Sequence, residues 1–189
     1  MKKQKFLIFF IVYFISLLSY SKLVAYEKSE YKVISNNDIY EIREYPDRIA
    51  VQSQHSKENS SFRKLFNYIS GANLTSKKID MTTPVTQTGK GKDLFMQFYL
   101  PSKFDKKNTP IPSNSDVEIV IMKGGYYAVI KYSGRSSDKN FIKYSEILKE
   151  KLLEDNVKFK GLPIKATYNG PFTPPPFRKN EAMYLVELN

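Results

Sequence analysis

The feature that most constrains the fold of this chain is an internal repeat with an offset of 77 to 79 residues. Self-similarity at a nearly fixed offset indicates two copies of one structural unit. We therefore predict repeats at about residues 31–101 and 116–188, joined by a segment from Asp105 to Ser115 that is rich in Pro, Asn and Ser. The matching pairs are Glu41-Ile42 with Glu118-Ile119, Ala50-Val51 with Ala128-Val129, Phe62 with Phe141, Lys64 with Lys143, and Pro84-Val85 with Pro163-Ile164.

Each repeat opens with two stretches that have the alternation and β-branched content of strands. Turn-forming residues separate the two stretches, Pro46-Asp47 in the first repeat and Lys123-Gly124-Gly125 in the second. Because glycine accepts the positive φ of a tight turn, this pattern predicts a hairpin at the start of each repeat. The predicted strands are Ile39–Tyr45 with Ile49–Ser53, and Val117–Met122 with Tyr126–Tyr132.

Apolar residues then recur at helical spacing in both repeats. Asp138 stands where a helix N-cap is expected in the second repeat. Two further strands follow each helix, so the order in each half is β-β-α-β-β, which predicts an α+β fold with an antiparallel sheet covered on one side by helices. The helical residues are Phe62, Leu65, Phe66 and Ile69, then Phe141, Tyr144, Leu148 and Leu152; the later strands are Met81–Thr86, Phe95–Leu100, Ile164–Tyr168 and Met183–Leu188.

The N-terminus has the layout of a signal peptide: three lysines precede a short apolar run from Phe6 to Leu18. We predict cleavage after residue 21, with a second possible site after residue 25, and a periplasmic or secreted product. Removing residues 1–21 lowers the formal net charge from +11 to +8, because the segment carries three lysines and no acid. The remaining lysines are scattered, which favours a solvated basic surface over a nucleic-acid site. The intact mass of the exported protein checks the cleavage site.

The residue inventory excludes several chemistries. The chain has no cysteine and a single histidine, His55, so thiolate chemistry and a paired-histidine metal site are ruled out. His55 could ligate haem iron, but its polar neighbours favour a solvated loop. Four methionines in predicted strands, Met81, Met96, Met122 and Met183, could also ligate iron, although such residues are more often core filler. The carboxylates Glu41, Glu44 and Glu181 show no pattern that indicates catalysis.

The first predicted helix carries two cations, Arg63 and Lys64, beside its apolar stripe. An apolar face rimmed by cations suits a planar molecule with carboxylates, since the ring system seeks apolar surface and the carboxylates seek charged donors. The alternative is that the apolar residues pack on the sheet while the two cations face water.

Three segments resemble the signatures of the SOUL haem-binding family: YEIREY at 40–45, KIDMTTPVT at 78–86 and NGPFTPPPFRKNEAMYLVEL at 169–188. The resemblance implies one domain over residues 30–189. It also implies a distorted antiparallel β-barrel of two pseudo-symmetric halves with two helices packed outside. The implied function is non-enzymatic binding of haem or another porphyrin.

The resemblance further implies that the ligand lies in an apolar groove beside the first helix, where Phe62, Phe66 and Lys64 match the family's positions. Glu44 stands where some relatives carry a histidine proposed to bind iron, and Pro174 where some carry a basic residue. We therefore expect a haem or porphyrin ligand that binds without an axial ligand from the protein. If the iron does have an axial protein ligand, His55 is the remaining candidate. The predicted ligand-binding residues are Phe62, Arg63, Lys64, Phe66, Ile69, Arg178 and Lys179.

Three functions compete on this reading. The first is a monomeric tetrapyrrole binder that buffers, carries or scavenges its ligand, and that contacts a membrane only if the signal segment is uncleaved. The second is an interaction or effector-sensing domain that binds another apolar molecule or a peptide, because a fold does not determine a function. The third is a cofactor-free hydrolase or isomerase that uses a groove carboxylate such as Glu44.

Overall fold

The computed structural model describes residues 26–54 and 60–188. Within them the chain forms eleven strands, two α-helices and two single-turn 3₁₀ helices. The first half of the chain contributes β1 Glu27–Lys28, β2 Lys32–Asn36, β3 Glu41–Tyr45, β4 Arg48–Gln54, α1 Ser60–Ile69, β5 Thr82–Thr83, β6 Val85–Thr88 and β7 Phe95–Tyr99. The second half contributes β8 Glu118–Met122, β9 Gly125–Tyr132, α2 Asp138–Glu154, β10 Lys158–Thr167 and β11 Asn180–Glu187.

Nine of the strands form one antiparallel sheet in the order β2-β3-β9-β11-β10-β6-β7-β4-β8, while β1 and β5 form a separate parallel pair. The α+β class and the antiparallel sheet agree with the prediction. The barrel does not, because the sheet is open with β2 and β8 at its edges. The physical reason is that β2 pairs with β3 and occupies the edge that closure onto β8 would need.

The predicted opening hairpins are also wrong. β3 pairs with β9 and β4 pairs with β8, so the hairpin pairs β3-β4 and β8-β9 do not form, and each of these four strands has a partner in the other half of the chain. The connection from β3 to β4 crosses the connection from β8 to β9. At the crossing, the Asp47 carboxylate accepts a hydrogen bond from the Gly124 amide at 2.7 Å and forms an ion pair with Lys123 at 2.8 Å. A Cβ atom on Gly124 would lie 2.3 Å from the Tyr45 carbonyl oxygen. Gly124 is therefore needed because the two connections approach each other closely, and not because of a tight turn.

Both helices pack on the same face of the sheet, which we call the outer face. Leu65, Tyr68 and Ile69 of α1 are buried in one core cluster with residues of β4 and β7. Leu148 and Leu152 of α2 are fully buried in another, with residues of β9 and β11. Ser137 caps α2 by accepting a hydrogen bond from the Asn140 amide, so the predicted cap Asp138 is instead the first helical residue.

The opposite, inner face of the sheet curves around a small cavity of about 40 Å³ that is lined from both halves of the chain. No helix in the described part of the chain is long and apolar enough to cross a membrane. The predicted signal peptide lies outside the described residues.

Candidate functional site

A groove of about 420 Å³ lies on the outer face between α1 and the centre of the sheet, and we call it the helix groove. Its most unusual feature is a pair of aromatic rings that the core covers only in part. Phe62 and Phe66 are 46% and 49% exposed. Their rings stack with centroids 6.1 Å apart and planes at 12°. The residues lining the groove are Tyr26, Phe62, Phe66, Met81, Thr83, Val85, Gln87, Met96, Ser136, Lys165, Thr167, Tyr168, Asn169, Gly170 and Pro171.

The helical spacing explains why α1 leaves two rings exposed. Residues four apart lie on one side of a helix, so Phe62 and Phe66 share a side, as do Leu65 and Ile69. The second pair is buried against the sheet, and the first pair faces the groove. The single apolar stripe predicted for this helix is therefore two adjacent faces, one for the core and one for the groove.

The floor of the groove is formed by β6 and β10. Val85 pairs with Thr167, and Gln87 pairs with Lys165, so these four side chains lie on the outer face at the centre of the sheet. Lys165 is only 8% exposed, and its ammonium lies 2.8 Å from the Asp138 carboxylate. Among the described residues that line the groove, Lys165 is the charged one. The site is thus apolar, with one ammonium on its floor.

The predicted α1 residues divide between several environments. Phe62 and Phe66 line the helix groove, whereas Ile69 is buried in the core. Arg63 is exposed and does not line the groove. Lys64 lies on another side of the helix, where its ammonium is 2.8 Å from the Asp116 carboxylate. The structure therefore brings two of these five residues together at the groove.

The two predicted cations of the closing loop turn toward the protein. Arg178 donates hydrogen bonds to the carbonyls of Thr173 and Pro171, at 2.7 and 2.5 Å. Lys179 lies 3.9 Å from the centre of the Tyr168 ring and 3.1 Å from the Glu181 carboxylate. These contacts shape the loop, and only its first part, Asn169 to Pro171, reaches the groove.

The other candidate ligands and carboxylates are spread over the molecule. Met81 and Met96 line the helix groove, whereas Met122 and Met183 line the inner cavity. Glu44 is exposed on β3 and does not line the groove. His55 lies outside the described residues. Across residues 26–54 and 60–188, no group of three or more His, Cys, Asp or Glu side chains could hold a metal ion.

A buried ion pair on the inner face joins the two halves of the chain. The Arg43 guanidinium donates to both oxygens of Glu181 at 3.1 and 3.2 Å, and both side chains are fully buried. The Tyr168 hydroxyl donates to Glu181 at 2.6 Å. Burial raises the pKa of Tyr168, and the Glu181 carboxylate raises it further. The cluster therefore joins β3, β11 and the residue that follows β10 across the inner face.

Lys165 was not among the predicted site residues. Its sequence neighbours Ile164 and Ala166 point to the inner face, so strand alternation places Lys165 on the outer face with the helices. A lysine on the helix-covered face of a central strand is uncommon, since charged residues are rarely buried, and Lys165 is buried with Asp138 as its partner. The alternation of Ile164, Lys165 and Ala166 along the strand was therefore the sequence signal that could have placed Lys165 at the site.

The fold and the groove define a class of protein: an antiparallel α+β domain with two helices on one face of its sheet and an apolar groove against the first of them. The model of the SOUL haem-binding protein family matches residues 26–185. The chain therefore belongs to the SOUL haem-binding family.

Solved structures with the same fold are distant in sequence. The crystal structure of the EcmrR C-terminal domain is 15% identical, with a TM-score of 0.58 over 84% of this chain and 99% of that one. A hydrolase from Listeria innocua is 10% identical, with a TM-score of 0.56 over 82% and 94%. EcmrR in a DNA complex is 12% identical, with a TM-score of 0.58 over 95% of this chain and 64% of that one. At these identities the likeness shows the fold alone. No curated protein matches the sequence.

Proposed function

We propose that this protein binds haem or another flat tetrapyrrole in the helix groove without chemical conversion, and so carries, buffers or scavenges it. The observation that carries the proposal is the stacked pair Phe62 and Phe66, which stays about half exposed beside an apolar groove. Large apolar side chains gain about 1.5 to 3 kcal/mol on full burial. A ligand that covers both rings would recover much of that free energy.

The residues present fit a tetrapyrrole in two respects. Its ring system would lie against Phe62, Phe66 and Val85, and one propionate would bind the ammonium of Lys165. A lysine ammonium has three donors, so Lys165 can bind a carboxylate while it keeps its contact with Asp138. The groove therefore offers an apolar surface and a charged anchor, as most small-molecule sites do.

Iron ligation is a separate question from ring binding. The thioethers of Met81 and Met96 line the groove and are groups that can ligate haem iron. Affinity that comes from apolar contact and the propionate would be the same with and without iron. We propose that contact with the ring carries the binding, and therefore that hemin and metal-free protoporphyrin bind with similar affinity.

The first prediction concerns Phe66. Replacing Phe66 with serine is expected to weaken the binding of hemin and of protoporphyrin about tenfold, because an apolar contact of 1.5 kcal/mol or more is lost. Absorbance titration of the parent and the variant measures both dissociation constants. The matched control is Phe177→Ser, since Phe177 is 77% exposed and does not line the groove. Equal affinity of Phe66→Ser and the parent would remove the helix groove as the site.

The same titration separates the two lysines. Lys165→Gln is expected to weaken binding, because a hydrogen bond to a charged group contributes about 1.5 to 3 kcal/mol. Lys64→Gln, whose ammonium contacts Asp116 away from the groove, is expected to bind as the parent does. If instead Lys64→Gln weakens binding and Lys165→Gln does not, the propionate binds Lys64, as the family resemblance implies.

We also propose that the two halves of the chain are equivalent units. Without β2, which has no counterpart, the order of the remaining eight strands of the sheet is reversed when β3 is exchanged with β8, β4 with β9, β6 with β10 and β7 with β11, as a twofold axis through the sheet centre requires. Each half also contributes one helix to the outer face. Superposition of residues 31–101 on 116–188 tests the proposal, and helices that fall on different strands would contradict it.

We also propose export to the periplasm or the medium, based on the N-terminal residues.

A further inference from the structure

The outer face has a second cavity, of about 430 Å³, beside α2, and we call it the second compartment. It shares two lining residues with the helix groove, Gln87 and Lys165, so the two cavities adjoin at the centre of the sheet. Its apolar lining residues are Leu94, Phe141, Ile142, Leu162 and Pro163, and its charged lining residues besides Lys165 are Lys90, Asp138 and Glu146.

The shared residues divide the combined groove into three zones. Gln87 and Lys165 are cross-strand partners, so an amide and an ammonium lie together in the middle of the floor. On one side are Phe62 and Phe66, and on the other are Ile142 and Leu162. Ile142 and Leu162 are 58% and 54% exposed, so the core leaves apolar surface in this compartment too. The order along the groove is apolar, polar, apolar.

We propose that the two compartments together hold one open-chain tetrapyrrole, with its carboxylates at Lys165 and Gln87 and one end in each compartment. The inference rests on the proposed function and narrows its ligand class. An open-chain tetrapyrrole carries its two propionates on its two middle rings, and its outer rings are uncharged. That distribution of charge matches the three zones of the groove.

A closed macrocycle matches only part of this surface. Its two propionates lie on one edge, so a macrocycle with a propionate at Lys165 has its remaining rings on one side of that lysine. In the helix groove it would cover Phe62 and Phe66 and leave Ile142 and Leu162 uncovered. The second compartment therefore distinguishes the two ligand shapes.

The test is absorbance titration of biliverdin and hemin against the parent and the double variant Ile142→Ser/Leu162→Ser. The variant is expected to bind biliverdin at least tenfold more weakly, because two apolar contacts are lost, and to bind hemin within twofold of the parent. The matched control is Leu74→Ser/Ile111→Ser, whose apolar side chains are 68% and 61% exposed and line neither cavity. The control is expected to bind both ligands as the parent does.

The outcomes separate this inference from the proposed function. If the parent binds hemin but not biliverdin, or if the double variant weakens both ligands equally, the second compartment is not part of the site and the inference is overturned. If Phe66→Ser binds hemin as tightly as the parent does, the helix groove is not the tetrapyrrole site, and the proposed function is contradicted independently of the second compartment. Should the double variant not fold, the single variants Ile142→Ser and Leu162→Ser carry the same test with a smaller expected loss, and biliverdin affinities within twofold of the parent would overturn the inference.

Discussion

Replacing Arg43 with methionine is expected to lower the free energy of unfolding by about 3 to 5 kcal/mol, because the change leaves the fully buried Glu181 carboxylate without its main partner. Burial by itself would lower the pKa of Arg43, but the Glu181 carboxylate more than offsets this and raises it. The guanidinium is therefore charged in the folded protein, and its removal leaves an uncompensated charge. Urea unfolding of the parent and the variant measures the difference.

The control for this prediction removes both partners. Arg43→Met/Glu181→Leu is expected to be more stable than Arg43→Met alone, since buried ion pairs replaced by apolar residues of similar volume are often neutral in stability. Tyr168 and Lys179 would lose their contacts with the carboxylate in that variant, so some loss relative to the parent is expected. An Arg43→Met protein within about 1 kcal/mol of the parent would show that Lys179 alone compensates Glu181.

Replacing Gly124 with alanine is expected to destabilise the protein by about 3 kcal/mol or more, at the upper end of the range for overpacked sites. The added Cβ would lie 2.3 Å from the Tyr45 carbonyl oxygen and 2.7 Å from the Pro46 carbonyl carbon. Both neighbours are backbone atoms at the crossing of the two connections, so no side chain can rotate away. The loss should appear as a lower midpoint of urea unfolding.

A second glycine provides the matched control. Gly170 also has no positive φ, and a Cβ atom built on it meets nothing within 4 Å. Gly170→Ala is therefore expected to unfold at the same urea concentration as the parent. If Gly124→Ala is equally stable, then the two connections do not cross as closely as described, and the pairing of β3 with β9 and β4 with β8 needs revision.

The helix face of α1 shows how far the sequence could predict the candidate site. The spacing of Phe62, Leu65, Phe66 and Ile69 predicted an apolar helix, and family resemblance placed a groove beside it. Phe62 and Phe66 do line that groove. The cation was predicted on the same helix, yet Lys64 contacts Asp116 and the groove ammonium comes from Lys165, more than 90 residues later in the chain. Which lysine reaches the groove depends on the pairing of β6 with β10, and single-sequence periodicity does not specify that pairing.

The sequence by itself determined both helices, the approximate positions of the main strands and the family, because these depend on local spacing and on short signatures. It did not predict β1 or β2, and it did not separate the core face of α1 from its groove face. The tertiary structure decided which strands pair. Pro46-Asp47 and Lys123-Gly124 suit a hairpin and a crossing equally well, since both need a short bend. The structure has the crossing and not the hairpins, because β3 pairs with β9 and β4 pairs with β8, each from the other half of the chain. Long-range pairing also creates the ion pair and the groove. The β3-β9-β11 ladder brings Glu181 to Arg43, and the pairing of β6 with β10 brings Lys165 to the groove that Phe62 and Phe66 line.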